Sequence, residues 1–516
     1  MKYDPHKNGS QYLENLATSY WASAALFTAL DSGLFEVLQK NSNAETAAVA
    51  EALGWQPGPA DRFLKLLETL GLVGAYNGTW YLTQLSADHL VPGAPHDQRA
   101  NIRWRESLTA EWRTLPEVLA AGTRTLFPSE DVSEADMERR RTAYLQAMDA
   151  VIADKIDEML PMFTDALPEN AAVLDVGCGS GLFALSVLKA CPTATATLMD
   201  IRQMIPIIEA HLKSWSEAVY SRADCAAQNV LEHPWALDQK YDLIILSNIV
   251  HATAEAESAG VLKEAAAHLA PGGFILVHDF FTEHDPVKSR LSDLNMMVNT
   301  YNGRAYSAKW TADVLKKAGC AETVFVPLST DTGVVFASRD AGRLDDLALD
   351  PVRRLMPALL HLGFADVLPL DPDAVVFAPF SREKCVYGCD SAFSKTCITN
   401  RDMSYDETQA LVKDYHHALL LCSEPPTQTF QRRCLAAEGE AFKSGFYKAF
   451  VFWAGPCSIC EVCDPDTPCA NPSHHRPSME GSGIDVYATV RRAGEALHPL
   501  RRRDEIAKYY GLLLLD

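Results

Sequence analysis

The chain has 516 residues, of which 48% are hydrophobic and 22% charged, a composition typical of globular proteins with two or three domains. Its formal net charge of −21 argues against a nucleic-acid partner, since affinity for DNA or RNA depends on neutralising phosphates with lysine and arginine. The sequence contains no run of about 18 apolar residues of the kind that spans a membrane, so we expect no membrane partner. The N-terminal stretch lacks the apolar segment of a signal peptide, and we therefore expect a cytoplasmic location.

The first predicted domain, residues 1–96, combines three helices with a hairpin. Apolar residues recur at helical spacing over residues 17–38, and a second helix is predicted in TAAVAEALGW, with Thr46 or Ser42 as its N-cap. ADRFLKLLETLGLV predicts a third helix, and GAYNGTWYLT predicts a hairpin with its Asn-Gly pair at the turn. This pattern is typical of a winged helix, for which we favour a packing or dimerisation role because the chain is acidic.

A glycine-rich turn marks the second predicted domain, residues 166–339, which follows a helical connector over residues 97–165. In AAVLDVGCGSGLFALSVLKA a short apolar strand runs into three glycines, and a helix follows. Glycines are needed where the backbone turns sharply and a ligand approaches without a Cβ in the way. The next strand, TATATLMD, ends at Asp200, whose carboxylate is placed to accept both hydroxyls of a ribose.

Two further apolar strands complete an alternating strand and helix pattern. They lie in YDLIILSNIVH and APGGFILVHDFF, and the first ends in Ser247, Asn248 and His251. Open αβ sheets bind ligands at the carboxyl ends of their strands. We therefore expect these polar residues to line the same site as the glycine turn.

The motif DVGCGSG resembles the S-adenosylmethionine site of class I methyltransferases. Together with LSNIVH, the DFF after the later strand and DLNMMVNTYNGRAYSAKWTADVLKKAGC, it makes residues of about 17–338 resemble the O-methyltransferase family with an N-terminal winged-helix dimerisation domain. The resemblance implies a Rossmann-like fold, a homodimer formed through the N-terminal domain, and methyl transfer to a small-molecule acceptor. O-methylation is the first expectation, with carbon, sulfur or metal-bound acceptors left open.

The same resemblance implies a set of residues that contact S-adenosylmethionine. These are Asp175, Gly177, Gly179, Asp200 and Asp224. From their positions in the glycine turn and at the strand end we add Gly181, Ser247 and Asn248. Cys178, inside the turn, is expected to be a small packing residue rather than a nucleophile.

His251 corresponds to the general base of O-methylating members of that family. Many members follow this histidine with Asp and Trp, whereas Ala252 and Thr253 follow it here. His251 is therefore expected to lack its usual orienting neighbour. Two interpretations stay open, a general base and a histidine that only lines the pocket, because methyl transfer to a carbanion or a metal-bound acceptor depends mainly on alignment.

The third predicted domain, residues 350–516, is rich in cysteine. Seven of its cysteines fall into two groups, Cys385, Cys389 and Cys397 in KCVYGCDSAFSKTC and Cys457, Cys460, Cys463 and Cys469 in GPCSICEVCDPDTPC. Without a secretory signal, such density predicts metal binding rather than disulfides. The C-x₂-C-x₂-C run favours an iron–sulfur cluster, of the 4Fe–4S type, and structural zinc is the alternative. Cys422 and Cys434 have no partner spacing and are predicted to be core residues.

This last domain also resembles a known family. KCVYGC, GFYKAFVFWAGPCSICEVC, PCANPSHHRPSMEGSGIDVYATV and the terminal YYGLLLLD are similar to a cysteine-rich, predicted metal-binding family of uncharacterised function. Usual members carry two prolines after the third cysteine of the first group, whereas Ile398 and Thr399 follow Cys397 here. The expected fold class is thus α/β overall, with an all-α winged-helix domain, a Rossmann-like domain and an α+β cysteine-rich domain.

The leading hypothesis is an S-adenosylmethionine-dependent methyltransferase of a small molecule, fused to an iron–sulfur domain. That domain is expected to bind the acceptor, gate activity or exchange electrons with a redox partner. The alternatives are a redox-sensing regulatory protein that uses its winged helix, a methyltransferase with a structural zinc domain, and a cofactor-binding scaffold without turnover.

Overall fold

The computed structural model describes most of the chain as two compact units, Leu13–Ala348 and Leu349–Asp516. The described residues are 10–126, 133–388, 404–424, 426–461, 469–495, 497, 499–500 and 507–516. Among them, no single helix is long and apolar enough to cross a membrane, and only the pair Ser10–Asp31 and Leu34–Lys40, bent by 53°, passes that test by length and composition.

The first unit begins with helices around a small antiparallel sheet. The helices are α1 (Ser10–Asp31), α2 (Leu34–Lys40), α3 (Thr46–Leu53), α4 (Pro57–Thr69) and α5 (Gln84–His89), and the strands are β1 (Ala44–Glu45), β2 (Val73–Tyr76) and β3 (Thr79–Leu82), in the order β1-β3-β2. The predicted hairpin is confirmed: Asn77 and Gly78 both have positive φ, as a two-residue type I′ turn requires.

Two local predictions in this region are wrong. The predicted helix over residues 17–38 is broken, because Gly33 adopts a left-handed φ of 75° between α1 and α2. Neither Thr46 nor Ser42 is the N-cap of α3. The N-cap residue is Glu45, whose side chain makes no capping hydrogen bond. The Thr46 hydroxyl oxygen instead accepts a hydrogen bond from Nε1 of Trp80 at 2.9 Å, so a tertiary contact outweighs the local capping preference.

Four helices follow before the main sheet. They are α6 (Arg99–Ser107), α7 (Thr109–Trp112), α8 (Leu115–Ala121) and α9 (Glu134–Phe163). The long helix α9 begins with a side-chain cap, since Ser133 Oγ accepts a hydrogen bond from the Asp136 amide at 3.1 Å. Helix α6 packs along α9.

A seven-stranded sheet forms the centre of the first unit. Its strands are β4 (Ala172–Val176), β5 (Thr195–Asp200), β6 (Ala223–Ala227), β7 (Tyr241–Ser247), β8 (Leu269–Asp279), β9 (Glu322–Pro327) and β10 (Gly333–Ser338). Its helices are α10 (Leu182–Ala190), α11 (Ile205–Leu212), α12 (Glu217–Tyr220), α13 (Glu255–His268), α14 (Pro286–Asn299) and α15 (Ala308–Lys317). The central strands are mostly apolar and buried because helices cover both faces of the sheet, and the polar residues Asp175, Ser247 and Asp279 lie at or near their carboxyl ends.

The strand order, β6-β5-β4-β7-β8-β10-β9, confirms the predicted α/β class. Strands β6, β5, β4, β7 and β8 are mutually parallel, and β10 is antiparallel to both of its neighbours, β8 and β9, so β9 runs in the same direction as the first five. The chain leaves β4 towards β5 on one side and later returns to β7 on the other. This reversal opens a crevice at the carboxyl ends of β4 and β7, where open αβ sheets bind ligands.

The second unit contains a separate antiparallel sheet in the order β11-β12-β14-β13. Its strands are β11 (Asp366–Leu370), β12 (His417–Ser423), β13 (Phe450–Phe452) and β14 (Tyr509–Leu515), and its helices are α16 (Pro351–His361), α17 (Pro379–Gly388), α18 (Tyr405–Lys413), α19 (Thr427–Lys443) and α20 (Val486–Arg492). Alternate leucines of β12 and β14 enter two different cores, one on each face of the sheet. Cys422 and Cys434 are buried in these cores, which confirms their prediction.

Candidate active site

Three glycines of the turn after β4 adopt left-handed backbone conformations. Gly177, Gly179 and Gly181 have φ angles of 63°, 61° and 82°, a region that residues with a Cβ rarely adopt. A Cβ on Gly177 would overlap the Ile249 side chain, so the turn lies against the segment that follows β7. Burial raises the pKa of the Cys178 thiol well above its ordinary value, which fits a packing residue and not a nucleophile.

Two carboxylates lie at this turn. Asp200 Oδ2 accepts a hydrogen bond from the Gly179 amide at 2.9 Å, and its Oδ1 accepts one from the Ile201 amide at 2.7 Å. An ionised carboxylate offers about four acceptor positions, so two remain for the hydroxyls of a ribose. Asp175 lies beneath the turn and accepts a hydrogen bond from the Ala184 amide at 3.3 Å, and its burial raises its pKa to about 7.

The end of β7 supplies an unpaired polar atom. Asn248 has a left-handed φ of 57°, and its buried Oδ1 has no hydrogen-bond partner among the described residues. Ser247 Oγ is hydrogen-bonded to Nδ1 of the buried His278 at 2.9 Å. Burial lowers the pKa of His278 well below its ordinary value, so this histidine is neutral and structural. A buried acceptor such as Asn248 Oδ1 calls for a donor, which a ligand can provide.

Asp224 is not brought to the site with the other predicted residues. It is an exposed residue of β6 and pairs with Thr197 of β5. Because Thr197 lies three positions before Asp200, the last residue of β5, Asp224 lies away from the carboxyl edge of the sheet. Gln228 follows β6 at that edge, and its backbone N–H donates to the backbone carbonyl oxygen of Asp200 at 2.9 Å. Ile201 directly follows Asp200 and is 42% exposed, so it offers an apolar surface at the same edge. Ile201 was not among the site residues predicted from the sequence.

His251 has an orienting partner, contrary to the expectation from Ala252 and Thr253. Nδ1–H of His251 donates to Oδ1 of Asp279 at 2.5 Å, and the His251 amide donates to Oδ2 of the same carboxylate at 3.1 Å. The Arg304 amide donates to the His251 carbonyl oxygen at 2.9 Å. The imidazole is therefore held with Nε2 available as a proton acceptor, the state that a general base needs.

Asp279 was not predicted, although the sequence contains a signal for it. It is the last residue of β8, the strand next to β7, and parallel neighbours end at the same edge of the sheet. Its side chain is only 4% exposed and that of His251 is 12% exposed, so the pair is shielded from water. Low solvent exposure strengthens the hydrogen bond between them.

The structure describes four of the seven predicted metal ligands. Cys385 lies on α17, and Cys457, Cys460 and Cys469 lie in the segment after β13. Cys389, Cys397 and Cys463 lie outside the described residues. Within the described part of the chain, no group of three His, Cys, Asp or Glu side chains is placed to hold a metal ion.

The loop that carries the later cysteines is braced by α19. Nε2 of the buried Gln431 donates to the carbonyl oxygens of Ala454 and Pro456 at 3.2 and 2.8 Å, and its Oε1 accepts from the Ser458 amide at 2.8 Å. Nδ2 of Asn471 donates to the Cys460 sulfur at 3.1 Å. Hydrogen bonds to the sulfur and a rigid backbone are features that hold and tune thiolate ligands.

Family models match three segments of the chain. An O-methyltransferase dimerisation domain matches residues 14–92, and a methyltransferase domain matches residues 144–323. A family described as a predicted metal-binding protein (DUF2284) matches residues 369–515.

Curated relatives match 60% of the chain, and solved structures match 65–66% of it. The chain is 27% identical over 319 residues to a 3-hydroxy-5-methyl-1-naphthoate 3-O-methyltransferase of Streptomyces sahachiroi, covering 60% of this chain and 89% of that protein. It is 27% identical over 320 residues to the tetracenomycin polyketide synthesis 8-O-methyl transferase of Streptomyces glaucescens, covering 60% and 91%.

Among solved structures, an O-methyltransferase family protein from Burkholderia thailandensis aligns with a TM-score of 0.56 at 23% identity, covering 65% of this chain and 99% of that one. Human N-acetylserotonin methyltransferase, solved with SAM, aligns with a TM-score of 0.55 at 21% identity, covering 66% and 100%. At these identities the likeness shows a shared fold.

Proposed function

Since the chain joins an O-methyltransferase dimerisation domain and a methyltransferase domain to a predicted metal-binding domain, we propose that it transfers a methyl group from S-adenosylmethionine to a hydroxyl oxygen of a small molecule. The observation that carries the proposal is the buried His251–Asp279 pair at the sheet edge that also holds the glycine turn. Such a pair suits an acceptor that must lose a proton as it reacts.

The residues of the turn fit the proposed cofactor. Asp200 retains acceptor positions beside the turn, and Asn248 offers an oxygen with no hydrogen-bond partner among the described residues. S-adenosylmethionine supplies an electrophilic methyl group on a sulfonium sulfur. His251 takes the hydroxyl proton on Nε2, so an oxygen lone pair is free to bond to the methyl carbon as the carbon–sulfur bond breaks.

Asp279 completes this proton transfer without taking the proton itself. It holds Nδ1–H of His251, which fixes the tautomer and stabilises the imidazolium that forms. The reaction then leaves a methyl ether, S-adenosylhomocysteine and a protonated His251, which returns its proton to water. The N-terminal domain is proposed to form a homodimer, in keeping with the family model that matches residues 14–92.

The test of methyl transfer uses S-adenosylmethionine and hydroxylated aromatic acceptors with one, two and three rings. We expect S-adenosylhomocysteine to be released in equal amount with a methyl ether, because the pair is placed to deprotonate a hydroxyl. Mass spectrometry of both products measures this, and the same acceptors with the hydroxyl already methylated are the control. Cofactor binding without release of S-adenosylhomocysteine from any acceptor would favour a scaffold.

We further propose that the cysteine-rich domain holds an iron–sulfur cluster of the 4Fe–4S type. The spacing of the later cysteines, the loop braced by Gln431 and the hydrogen bond from Asn471 to the Cys460 sulfur support thiolate ligation. A cluster there would supply either an electron-transfer centre or an iron site for the acceptor. Zinc bound by the same thiolates is the alternative.

Metal content tests this assignment. After anaerobic purification we expect about four irons and matching sulfide per chain. The variant Cys460→Ser should lower both contents, whereas Cys191→Ser, whose residue lies in the first unit, should leave them unchanged. Stoichiometric zinc without sulfide would contradict the cluster and indicate a structural domain.

A further inference from the structure

The backbone of His251 lies in a segment that is too short to hold itself. His251 is the middle residue of the 3₁₀ turn Val250–Ala252, which follows β7. Such a short turn leaves most of its backbone groups to partners elsewhere in the chain. The His251 N–H donates to Asp279 Oδ2 at 3.1 Å, and the His251 carbonyl oxygen accepts a hydrogen bond from the Arg304 N–H at 2.9 Å. The position of the proposed base therefore depends on two other segments.

A strap connects α14 to α15 and lies against the base and its partner; we define it as residues 300–307, which include Arg304. The Tyr306 hydroxyl donates to the Thr253 carbonyl oxygen at 2.7 Å, just after the proposed base. The Tyr306 carbonyl oxygen accepts a hydrogen bond from the Thr282 N–H at 3.3 Å, just after the carboxylate partner. The strap thus links the segment that follows β7 to the segment that follows β8.

Tyr306 is itself fixed in place. It is buried, and its ring stacks on that of Trp310 in the first turn of α15, with 4.2 Å between the ring centres and 19° between the planes. Nε1 of Trp310 donates to Oε1 of Glu255, the first residue of α13, at 3.2 Å. Burial and ring stacking both favour a single side-chain position. The strap therefore has a firm anchor beside the base.

Gly303 allows the strap to approach the base closely. It is buried, and its φ lies outside the left-handed region, so only space limits the residue at this position. A Cβ on Gly303 would lie 2.6 Å from the His251 carbonyl oxygen and 2.9 Å from that of Ala252, and it would also meet Thr300 Oγ1 at 2.6 Å. Two of these atoms are backbone atoms, which cannot rotate away as the end of a side chain can. A side chain here must displace the strap or the backbone of His251.

Small displacements of His251 matter for the proposed reaction. Nε2 must come within hydrogen-bond reach of the acceptor hydroxyl, at about 2.6–3.2 Å. A misplacement of about 1 Å can reduce the rate by about 10²-fold. The imidazole is 12% exposed and its Nδ1–H is committed to Asp279, so the ring follows the backbone that carries it.

We propose that Gly303 and Tyr306 are positioning residues for the His251–Asp279 pair. Gly303 lets the strap hold the His251 carbonyl oxygen, and Tyr306 ties the segment after β7 to the segment after β8. Both act through the base and not on the acceptor. The inference rests on the proposed methyl transfer, in which His251 is the base, and it assigns the placement of that base to a part of the chain outside the strands that carry the pair.

The first test is independent of activity and follows the NMR signal of the His251 Nδ1–H in the full-length protein. A proton shared between an imidazole and a carboxylate is strongly deshielded, so it gives a signal downfield of the amides. We expect one such signal that is lost in His251→Ala. Gly303→Ala should shift or abolish it, because the new Cβ displaces the His251 backbone. Tyr306→Phe keeps the ring and removes the hydroxyl that holds Thr253, so it should shift the signal less.

A double-mutant cycle tests whether Gly303 acts through the base. With the hydroxylated aromatic acceptors named above, Gly303→Ala should lower kcat by about tenfold or more and leave the Kd for S-adenosylmethionine unchanged. In the His251→Ala background the same substitution should cause little further loss, because the group that it displaces is already absent. A merely structural role would lower both activities by the same factor.

The matched control is Gly273→Ala. Gly273 lies in the amino-terminal half of β8, away from the carboxyl edge of the sheet. Its Cβ would also meet backbone atoms, the carbonyl oxygens of Tyr241, Asp242 and Ala270, at 2.9, 3.0 and 3.1 Å. The substitution should lower Tm, as Gly303→Ala does, and leave the downfield signal unchanged. The pair thus separates displacement of the base from general destabilisation.

Three outcomes of the NMR test would overturn the inference: no signal that depends on His251, an unchanged signal in Gly303→Ala, or an equal shift in the Gly273→Ala control. Independent, multiplicative losses in the double-mutant cycle would overturn it as well. If Gly303→Ala does not fold, the signal of Tyr306→Phe decides in its place. A signal that moves as expected in a protein without methyl transfer to any acceptor would remove the proposed function and leave the positioning of the pair.

Discussion

Replacing His251 with alanine is expected to lower kcat for O-methyl transfer by about 10²-fold or more, with the affinity for S-adenosylmethionine unchanged. The reason is geometric: His251 has its Nδ1–H held by Asp279 at 2.5 Å, which leaves Nε2 to take the acceptor proton. Neither side chain belongs to the glycine turn, so cofactor binding should not depend on them. Release of S-adenosylhomocysteine at saturating substrate measures kcat, and calorimetry measures cofactor binding.

Rescue separates a base from a structural histidine. Millimolar imidazole should restore part of the lost activity to His251→Ala, because a small base can enter the space that the side chain leaves. Asp279→Asn should also be slow, since an amide does not stabilise the imidazolium as a carboxylate does. His361→Ala, at an exposed histidine of the second unit, is the control. Full activity of His251→Ala without imidazole would rule out the base and point to an acceptor that needs no deprotonation.

Replacing Gly177 with alanine is expected to weaken S-adenosylmethionine binding by at least about tenfold. Its φ of 63° disfavours any Cβ, and the added methyl group would overlap the Ile249 side chain. A left-handed conformation costs roughly 1–2 kcal/mol and overpacking about 1–3 kcal/mol, so the turn should shift away from the conformation that cradles the cofactor. Calorimetric Kd for S-adenosylmethionine and Tm without ligand are the measurements.

The control for this substitution is Gly58→Ala. Gly58 lies in α4 with a normal φ and no atom within 4 Å of a new Cβ, so cofactor binding should be unchanged. Gly179→Ala should have a smaller effect, because its Cβ would meet only Leu145 Cδ2 at 3.3 Å, a flexible side-chain end. An unchanged Kd for Gly177→Ala would contradict the assignment of the glycine turn as the cofactor cradle.

Much of the site was predictable because it depends on local patterns. The turn glycines and Asp200 follow apolar strands, and the strand ends of a parallel sheet converge at one edge whatever the details of packing. The hairpin at Asn77 was predictable for the same reason, since its turn needs residues that tolerate positive φ. The prediction that Asp224 contacts the cofactor was wrong because Asp224 lies within β6, several positions before the carboxyl edge of the sheet, and the sequence does not show where that strand ends.

The pairing of His251 with Asp279 could not be read from neighbouring residues. The two are 28 positions apart and meet because β7 and β8 are adjacent parallel strands, so the partner comes from the next strand and not from Ala252. The use of Thr46 as an acceptor for Trp80 has the same origin. In each case a tertiary contact decided between conformations or partners that differ little in local free energy.

The sequence by itself determined the succession of domains, the glycine cradle and the cysteine spacing, because these depend on backbone freedom, strand order and donor chemistry over short stretches of chain. Only the tertiary structure decided what surrounds His251. It brought Lys155 of α9 to Asp331 in the loop between β9 and β10, with 3.2 Å between Nζ and Oδ1, and it placed the same Nζ 5.5 Å from the centre of the Phe280 ring, which lies beside His251. Burial and distance control the strength of a charge interaction, and neither is encoded in the spacing of residues along the chain.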